Sequence, residues 1–523
     1  MHRFPTITNN DNSVTASNIG YPLDSDHTEE NFEYDYFDKL ELMFLSEPSI
    51  SYKPGSSIIR LELVNTLFDT LPNVFWQQFP SLRHLTIRIS FIISLSTLVH
   101  DILYHCPNIK TLDLGPALNN KRQSSASAKI DFIPLPAITN YYNKQLPLFD
   151  NNNKDKKEGL VSFNLLCQTM MGNLGSNKEL ANLINYNSNT LESVHIRPRI
   201  ICGETDRNID SNDDSDNSLE VLPSMVTYHL YSLTRLRDLG FHGYMTEDLT
   251  RLGIDLGKII RNCSMLESLA LEEISIRDTD MFQIATHCKN LRRFRLVLGQ
   301  PHDYYTVASM KHFLNHTEAK LEDIYLDGSW TLDDEALKIL GTQHRSHLKS
   351  LALLNCNTVT MKGLSTFVNA LVSEEKSAKH QEQLQSNNNN LVIDDHYHGP
   401  QLHQLSLYHL NKDIDIQQCI DQIIAPLVEI KSKEMRNNEE KRELQLLQGF
   451  DWVTDSLPPK DNKQLISSLE RITSIMRNTT NNNLNVRTLY GTQQYWLFTC
   501  EQETNVTSKY FENIPLSKLR HTT

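Results

Sequence analysis

The sequence lacks nearly every short motif that announces a reaction. It has no Gly-x-Gly-x-x-Gly, no phosphate loop ending in Gly-Lys-Ser/Thr, no Gly-x-Ser-x-Gly and no His-Glu-x-x-His. Dinucleotide, nucleotide, acyl-transfer and zinc-protease signatures are therefore missing. Eight cysteines are present but none forms a Cys-x-x-Cys pair, which argues against a zinc knuckle and a dithiol redox site. Positive charge is in short supply: 50 Lys and Arg face 64 Asp and Glu, a net charge of −14, so general nucleic-acid binding is disfavoured. Much of that excess is local, since Asp206, Asp210, Asp213, Asp214 and Asp216 stand against Arg207 alone. Long apolar runs are absent as well. The longest, Phe91 to Val99, is too short to span a bilayer and is interrupted by serines. Met1 to Asp26 shows no basic start followed by an apolar stretch, so no secretory signal is visible. The expectation is a protein without a membrane span, its thiols reduced, in the cytoplasm, the nucleus or both. No catalytic, cofactor-binding or metal-ligating residue is assigned, and His396-Tyr-His398, in a polar stretch, is a weak exception.

What the chain has instead is a returning phrase. It reads Leu266-Glu-Ser-Leu269-Ala-Leu271, Leu291-Arg-Arg-Phe294-Arg-Leu296, Leu321-Glu-Asp-Ile324-Tyr-Leu326 and Leu348-Lys-Ser-Leu351-Ala-Leu353. Starts fall roughly 24 to 30 residues apart, the period of a leucine-rich repeat with one strand and one helix per unit. Similar phrases begin at Ile58, Leu82, Ile109, Leu191, Leu236 and Leu402, with weaker candidates at Ile130, near Leu160 and near Val486. Helical spacing precedes the strands, as in Met281, Ile284 and Ala285 before Leu291 and in Leu337 and Leu340 before Leu348. One such unit cannot bury its own apolar face. The predicted fold is therefore an α/β solenoid, with a curved parallel sheet on the concave side and helices on the convex side.

Cysteine placement narrows the repeat type. Cys106, Cys263 and Cys288 each stand three residues ahead of a strand phrase, and Cys356 stands just after one, followed by Val359, Gly363 and Leu364. Ile276-Arg-Asp278 and Leu332-Asp-Asp334 fit the Val/Ile-Thr-Asp slot of the same pattern. These units resemble the cysteine-containing, ribonuclease-inhibitor-like repeats of F-box proteins, from about Ile58 to Leu410. The resemblance covers the repeat half only: no segment before Ile58 carries F-box text, and Phe32 to Leu45 reads as a remnant or an N-terminal cap. It implies a substrate receptor of an SCF-type cullin-RING ubiquitin ligase, with the ligase core subunits among its partners. The cysteines themselves read as packing residues.

Three regions are expected. Residues 1–57 are a mostly disordered segment with a possible short cap. Residues 58–412 form the solenoid, with polar insertions at about 119–128, 150–158, 203–218 and 374–399. Residues 413–523 supply further repeats and a cap, including helices over Ile416 to Ile430 and Leu465 to Met476 and a strand over Tyr495 to Cys500. The insertions, and Asn9 to Asn18, are too polar to offset their ordering entropy and are expected as mobile loops.

Side chains alternate along a strand, so positions three, five and seven of each phrase are predicted to face the concave side. That places Asp238, His242, Glu272, Arg293, Arg295, Asp323, Tyr325, Asp327 and Tyr408 on a protein-binding surface, beside Ser268, Val297, Gln404 and Ser406. Trp330 reads as a packing residue. Function is thus expected to be non-enzymatic recognition of a protein partner. The alternative is a stand-alone scaffold or regulator, for example of a GTPase or a cell-cycle pathway, without a ubiquitin role.

Overall fold

The computed structural model describes residues 6–8, 13–16, 58–64, 76–89, 91–92, 102–116, 159–166, 168–169, 177–198, 224–298, 305–372, 401–411, 413–429, 447, 449–454, 464, 467–468, 470–472, 474–475, 485–490 and 493–498. The chain divides into two compact units: residues 1–243 with 247–266, and residues 244–246 with 267–523.

The first unit contains β1 (Thr6–Thr8), β2 (Ser13–Ala16), β3 (Arg60–Val64), β4 (His84–Ile89), β5 (Phe91–Ile92), β6 (Thr111–Pro116), β7 (Ser162–Leu165), β8 (Gln168–Thr169), β9 (Ser193–Ile196) and β10 (Asp238–Asp248). Its main sheet runs β1-β2-β3-β4-β6-β7-β9-β10, antiparallel at the β1–β2 edge and parallel elsewhere. A separate parallel pair joins β5 to β8. Helices Asn177–Tyr186, Met225–Leu230 and Leu256–Asn262 lie between or after these strands. In the second unit β11 (Ser268–Ser275), β12 (Arg293–Val297), β13 (Asp323–Asp327), β14 (Ser350–Leu354), β15 (Gln404–Tyr408), β16 (Gly449–Thr454) and β17 (Asn485–Tyr490) pair in chain order, all parallel. β18 (Gln493–Phe498) closes the order antiparallel. Helices Asp278–His287, Val307–His316, Asp334–Gln343 and Met361–Val372 connect successive strands and pack against one another in sequence order. The protein is an α/β leucine-rich-repeat fold.

The repeated leucines make the core. Leu266, Leu291, Leu321, Leu348 and Leu402 are all buried, as are the fourth and sixth residues of the same phrases. Phe294 on β12 meets Phe313 on helix Val307–His316 at 4.9 Å between ring centroids, joining sheet to helix layer. At about 1.5–3 kcal/mol per fully buried aliphatic side chain, these rows outweigh any single polar contact.

Polar groups fix the distance between repeats. Ahead of several strand phrases, a side chain reaches back to the preceding unit's backbone. Cys106 Sγ donates to the Trp76 carbonyl at 3.4 Å and Cys263 Sγ to the Leu233 carbonyl at 3.2 Å. One residue earlier, four ahead of Leu348, His344 does likewise, its Nε2 lying 3.2 Å from the Leu314 carbonyl, and Asn187, four ahead of Leu191, accepts at Oδ1 from the Leu160 amide at 2.8 Å. Burial raises the Cys106 and Cys263 thiols to about 12, so both stay protonated donors. Burial also lowers His344 to about 4, keeping it neutral. On the helix side, Asp278 accepts from the Thr306 amide at 2.7 Å, and Asp334 from the Thr360 amide at 3.0 Å and hydroxyl at 2.7 Å. Each aspartate thus ties down the residue that starts the next repeat's helix. Gly363 is required there, because a Cβ would collide with the Asp334 carboxylate.

A left-handed residue stands at the eighth position of several repeat phrases, within β11 at Glu273 (φ 51°) and just after the strand at Gly328 (φ 68°), Asn355 (φ 51°) and His409 (φ 46°). Only Gly328 escapes the steric cost of a Cβ in that region.

Three features differ from the sequence expectation. Leu447-Gln-Gly-Phe450-Asp-Trp452 is a further repeat phrase, and it forms β16; the polar residues around it hid it. β2 lies within Asn9 to Asn18, where a loop was expected, and pairs in parallel with β3, so backbone pairing there offsets the poor side-chain composition. The helix expected over Ile416 to Ile430 is α-helical at Ile416–Cys419 and again at 425–429, with a π-helical turn at Ile420–Ile424 between. β7 and β17 fall where the candidates near Leu160 and Val486 placed them, and β18 overlaps the expected strand. The candidate at Ile130, the Phe32 to Leu45 segment, His396-Tyr-His398 and the insertions at 119–128, 150–158, 203–218 and 374–399 lie outside the described residues.

Candidate functional site

Register places the strand side chains of the second unit in three rows. The first row is Ser268, Arg293, Asp323, Ser350 and Gln404; the second is Ala270, Arg295, Tyr325, Ala352 and Ser406; the third is Glu272, Val297, Asp327, Leu354 and Tyr408. The alternation is visible in β12, where Arg293, Arg295 and Val297 are half-buried while Phe294 and Leu296 are buried. The aliphatic positions face the core, so the intervening ones share the opposite side.

The rows are not equally open. Arg293, Asp323, Ser350 and Gln404 are half-buried, so the first row is accessible beyond Ser268. In the second row Arg295 pairs with the Glu272 carboxylate and lies over the Tyr325 ring, 3.9 Å from its centroid. This Glu–Arg–Tyr stack satisfies its own charges and holds the tyrosine flat against the sheet. Burial and the surrounding carboxylates raise the Tyr325 hydroxyl well above its ordinary range, against the opposing pull of Arg295. In the third row Asp327 and Leu354 are buried and Tyr408 is 2 % exposed. Asn355 Nδ2, on the left-handed turn after β14, donates to Asp327 Oδ1 at 2.7 Å, so the turns following the strands close over this row. Burial raises the Asp327 carboxyl, and burial with the neighbouring Glu322 carboxylate raises that of Asp323.

Beside the first row runs a rim of alternating charge, at the second position of successive phrases. Glu322 accepts from Arg292 at 3.3 Å and from Lys349 at 2.8 Å. In the first unit Glu192 is flanked likewise, by Arg235 at 3.3 Å and Arg237 at 3.8 Å.

The first unit holds the remaining two residues of the predicted surface, and they are buried. Asp238 Oδ2 accepts from Ser193 Oγ at 3.0 Å and lies 2.9 Å from His195 Nε2; His195 Nδ1 lies 2.9 Å from His242 Nε2. A serine, a carboxylate and two imidazoles form one chain across β9 and β10. Sequence reasoning missed His195 because it sits on the neighbouring strand; the shared strand-face position in Val194-His195-Ile196 was the available signal.

The structure therefore brings Glu272, Arg293, Arg295, Asp323 and Tyr325 together as an accessible or half-covered group. It departs from the expectation of an open face at Asp238, His242, Asp327 and Tyr408, which are buried under hydrogen bonds and turn residues. Trp330, read as a packing residue, is 43 % exposed, in the turn after β13. Among the described residues no three or more His, Cys, Asp or Glu side chains cluster as a ready metal cage, and no helix is long and apolar enough to cross a membrane.

No family model and no curated protein matches the chain. Among solved structures, a chain from the crystal structure of the Rad7 and Elc1 complex in yeast is similar at 13% sequence identity and a TM-score of 0.38, over 76% of each chain. At that score the likeness says nothing about activity or partners.

Proposed function

We propose that this protein is a non-enzymatic recognition solenoid that grips a partner protein along the strand side of the second unit. The first row, Arg293, Asp323, Ser350 and Gln404, supports this reading: it sets a cation, an anion and two neutral polar groups side by side on rigid strands. Recognition surfaces of that kind combine hydrogen-bonding polarity with a rigid support and need no catalytic geometry. Arg295 and Tyr325 form the floor beside it, pre-organised by the Glu272 pair.

The finer reading follows the repeat type. Cysteine-bearing repeats of this pattern resemble the receptor half of F-box proteins, so the proposed role is a substrate-receptor-like component of an SCF-type cullin-RING ligase. Affinity capture of the tagged chain with mass spectrometry tests it: co-purification of the F-box-binding adaptor and a cullin supports the ligase role. Capture of a stable partner without either leaves a stand-alone scaffold or regulator. The docking surface has its own test. Arg293→Glu combined with Ser350→Arg is expected to weaken capture of the same partner at least tenfold with an unchanged thermal melt. Unaltered capture would remove the strand side from consideration.

A further inference from the structure

We infer that the strand face of the first unit at β3, β4 and β6, around Arg60 and Arg83, docks an acidic peptide segment of a partner protein. This is independent of the docking reading above, which concerns the second unit. Three observations carry it.

First, positive charge stands there without its counter-charge. The first row of this unit runs Arg60, His84, Thr111, Ser162, Ser193 and Asp238, in parallel register. The rim beside it, from β4 to β9, reads Arg83, Lys110, Val161 and Glu192. The first carboxylates along these two lines are therefore Asp238 and Glu192, and both are engaged. Asp238 meets Ser193 and His195, and Glu192 meets Arg235 and Arg237. Among the described residues no ion pair joins Arg60 or Arg83 to a carboxylate, the second-row Glu62 and Asp113 included. Farther along the chain the same rim position closes on its neighbours, as Glu322 does on Arg292 and Lys349.

Second, the backbone sets the two arginines side by side. The Arg83 amide donates to the Ile59 carbonyl at 2.8 Å, and Arg60 stands opposite His84. Arg60 is exposed, while Arg83, His84 and Thr111 are half-buried. His84 Nδ1 lies 3.2 Å from Thr111 Oγ1. Burial first, and then the charges of Arg60 and Arg83, hold the His84 imidazole below its ordinary value, so both guanidiniums act on one small region. Like charges on adjacent strands repel, and an anionic occupant removes that repulsion.

Third, the dimensions select the occupant. From β3 to β6 is two strand spacings, about 10 Å. An extended peptide carries alternate side chains on one side about 7 Å apart, so two carboxylates fit the span and each reaches one guanidinium. Arginine pairs with a carboxylate in a bidentate geometry that fixes orientation as well as charge. A nucleic-acid backbone draws its affinity from many phosphate contacts, and three strands of a chain with net charge −14 offer few.

The test uses the full chain and a fluorescein-labelled synthetic peptide of alternating Glu and Ser, read by fluorescence anisotropy at pH 7.5 and low salt. Saturable binding is expected, weakened by added salt and at least tenfold weaker in Arg60→Glu combined with Arg83→Glu. The same peptide with Gln for Glu is expected not to bind. Arg251→Glu combined with Arg261→Glu makes the same charge change elsewhere in the first unit, and should bind as the wild type does. The inference is overturned by no saturable binding, by equal binding of the Gln peptide, or by binding unchanged in the Arg60 and Arg83 variant. An equal loss in the Arg251 and Arg261 variant overturns it too, as a general charge effect. So does binding of a phosphoserine peptide or a single-stranded DNA oligonucleotide where the Glu peptide fails. Should the double Glu variant melt early, Arg60→Gln combined with Arg83→Gln replaces it. A tenfold weakening there upholds the site, and unweakened binding rejects it. None of these readouts involves the first row of the second unit, so failure here leaves that reading standing.

Discussion

The strand sides of the two units handle polarity differently. In the second unit, charges of opposite sign sit on adjacent strands and close pairwise: Glu272 on Arg295, with Tyr325 beneath the guanidinium. In the first unit the corresponding positions hold Ser193, His195, Asp238 and His242, and their closure is a hydrogen-bonded chain of partly neutral groups. The second unit thus keeps fixed charge near water, whereas the first buries His195, Asp238 and His242 within a hydrogen-bonded chain. A face of fixed, half-exposed charge on rigid strands suits protein recognition.

The comparison breaks first if the two units do not depend separately on their own cores. Leu269→Asp in the second unit buries an unpaired charge at a position 1 % exposed, with an expected loss of more than about 4 kcal/mol. Leu239→Asp in the first unit, also fully buried, is the matching change. Circular-dichroism melts should show each variant losing its cooperative transition in its own unit, and a wild-type melt for either would contradict the assignment of the aliphatic rows.

A smaller effect separates proton-sensitive joints from insensitive ones. His344 has a folded pKa near 4 and an ordinary value of 6.5, so the unfolded chain binds the extra proton first as pH falls. Its contribution is complete above pH 6.5 and is lost as pH drops towards 4, amounting to about 3 kcal/mol at most. Asp323 and Asp327, both raised, act with the opposite sign in the carboxylate range, since their protonation favours the folded state. Denaturant titrations from pH 7 to 4 should show a slope that His344→Asn flattens. A cysteine joint such as Cys263 supplies no such slope, its thiol staying protonated throughout.

Next come the turns. Gly328→Ala puts a Cβ in the left-handed region, 2.6 Å from the Leu298 carbonyl oxygen, and should cost about 2 kcal/mol or more. Asn355→Ala should cost about 1–2 kcal/mol, through the same strain and the loss of the amide bond to Asp327. Urea midpoints measure both, and an equal or smaller cost for Gly328→Ala would overturn the steric ranking.

The smallest effect sharpens the account of the Glu–Arg–Tyr stack. A double-mutant cycle over Arg295→Met and Tyr325→Leu should return a coupling of about 0.5–1 kcal/mol, because the pair is only partly removed from water. Zero coupling would mean that the guanidinium is held by Glu272 alone.

Some of this was legible in the residues themselves. The period of Leu266, Leu291, Leu321 and Leu348 gave strand positions, burial and the parallel order, because a two-residue alternation inside a fixed repeat leaves one solution for the apolar face. The slot of Cys106 and Cys263 was visible for the same reason. His344 and Asn187, one residue earlier in their repeats, were not, since side chains of different chemistry can each donate to or accept from the neighbouring backbone. Leu447, Phe450 and Trp452 were overlooked because the polar residues around them hid the phrase.

The amino-acid order alone therefore determined which residues are core and how the strands follow one another. Periodicity is a local property, and burial of a stripe needs no knowledge of distant partners. Only the tertiary structure decided which of the nine strand-face residues stay open, and that His195 meets His242 with Gly240 beneath. Those outcomes depend on contacts between strands some 45 residues apart and on turns that close over one row but not another. Nothing in a single phrase encodes them.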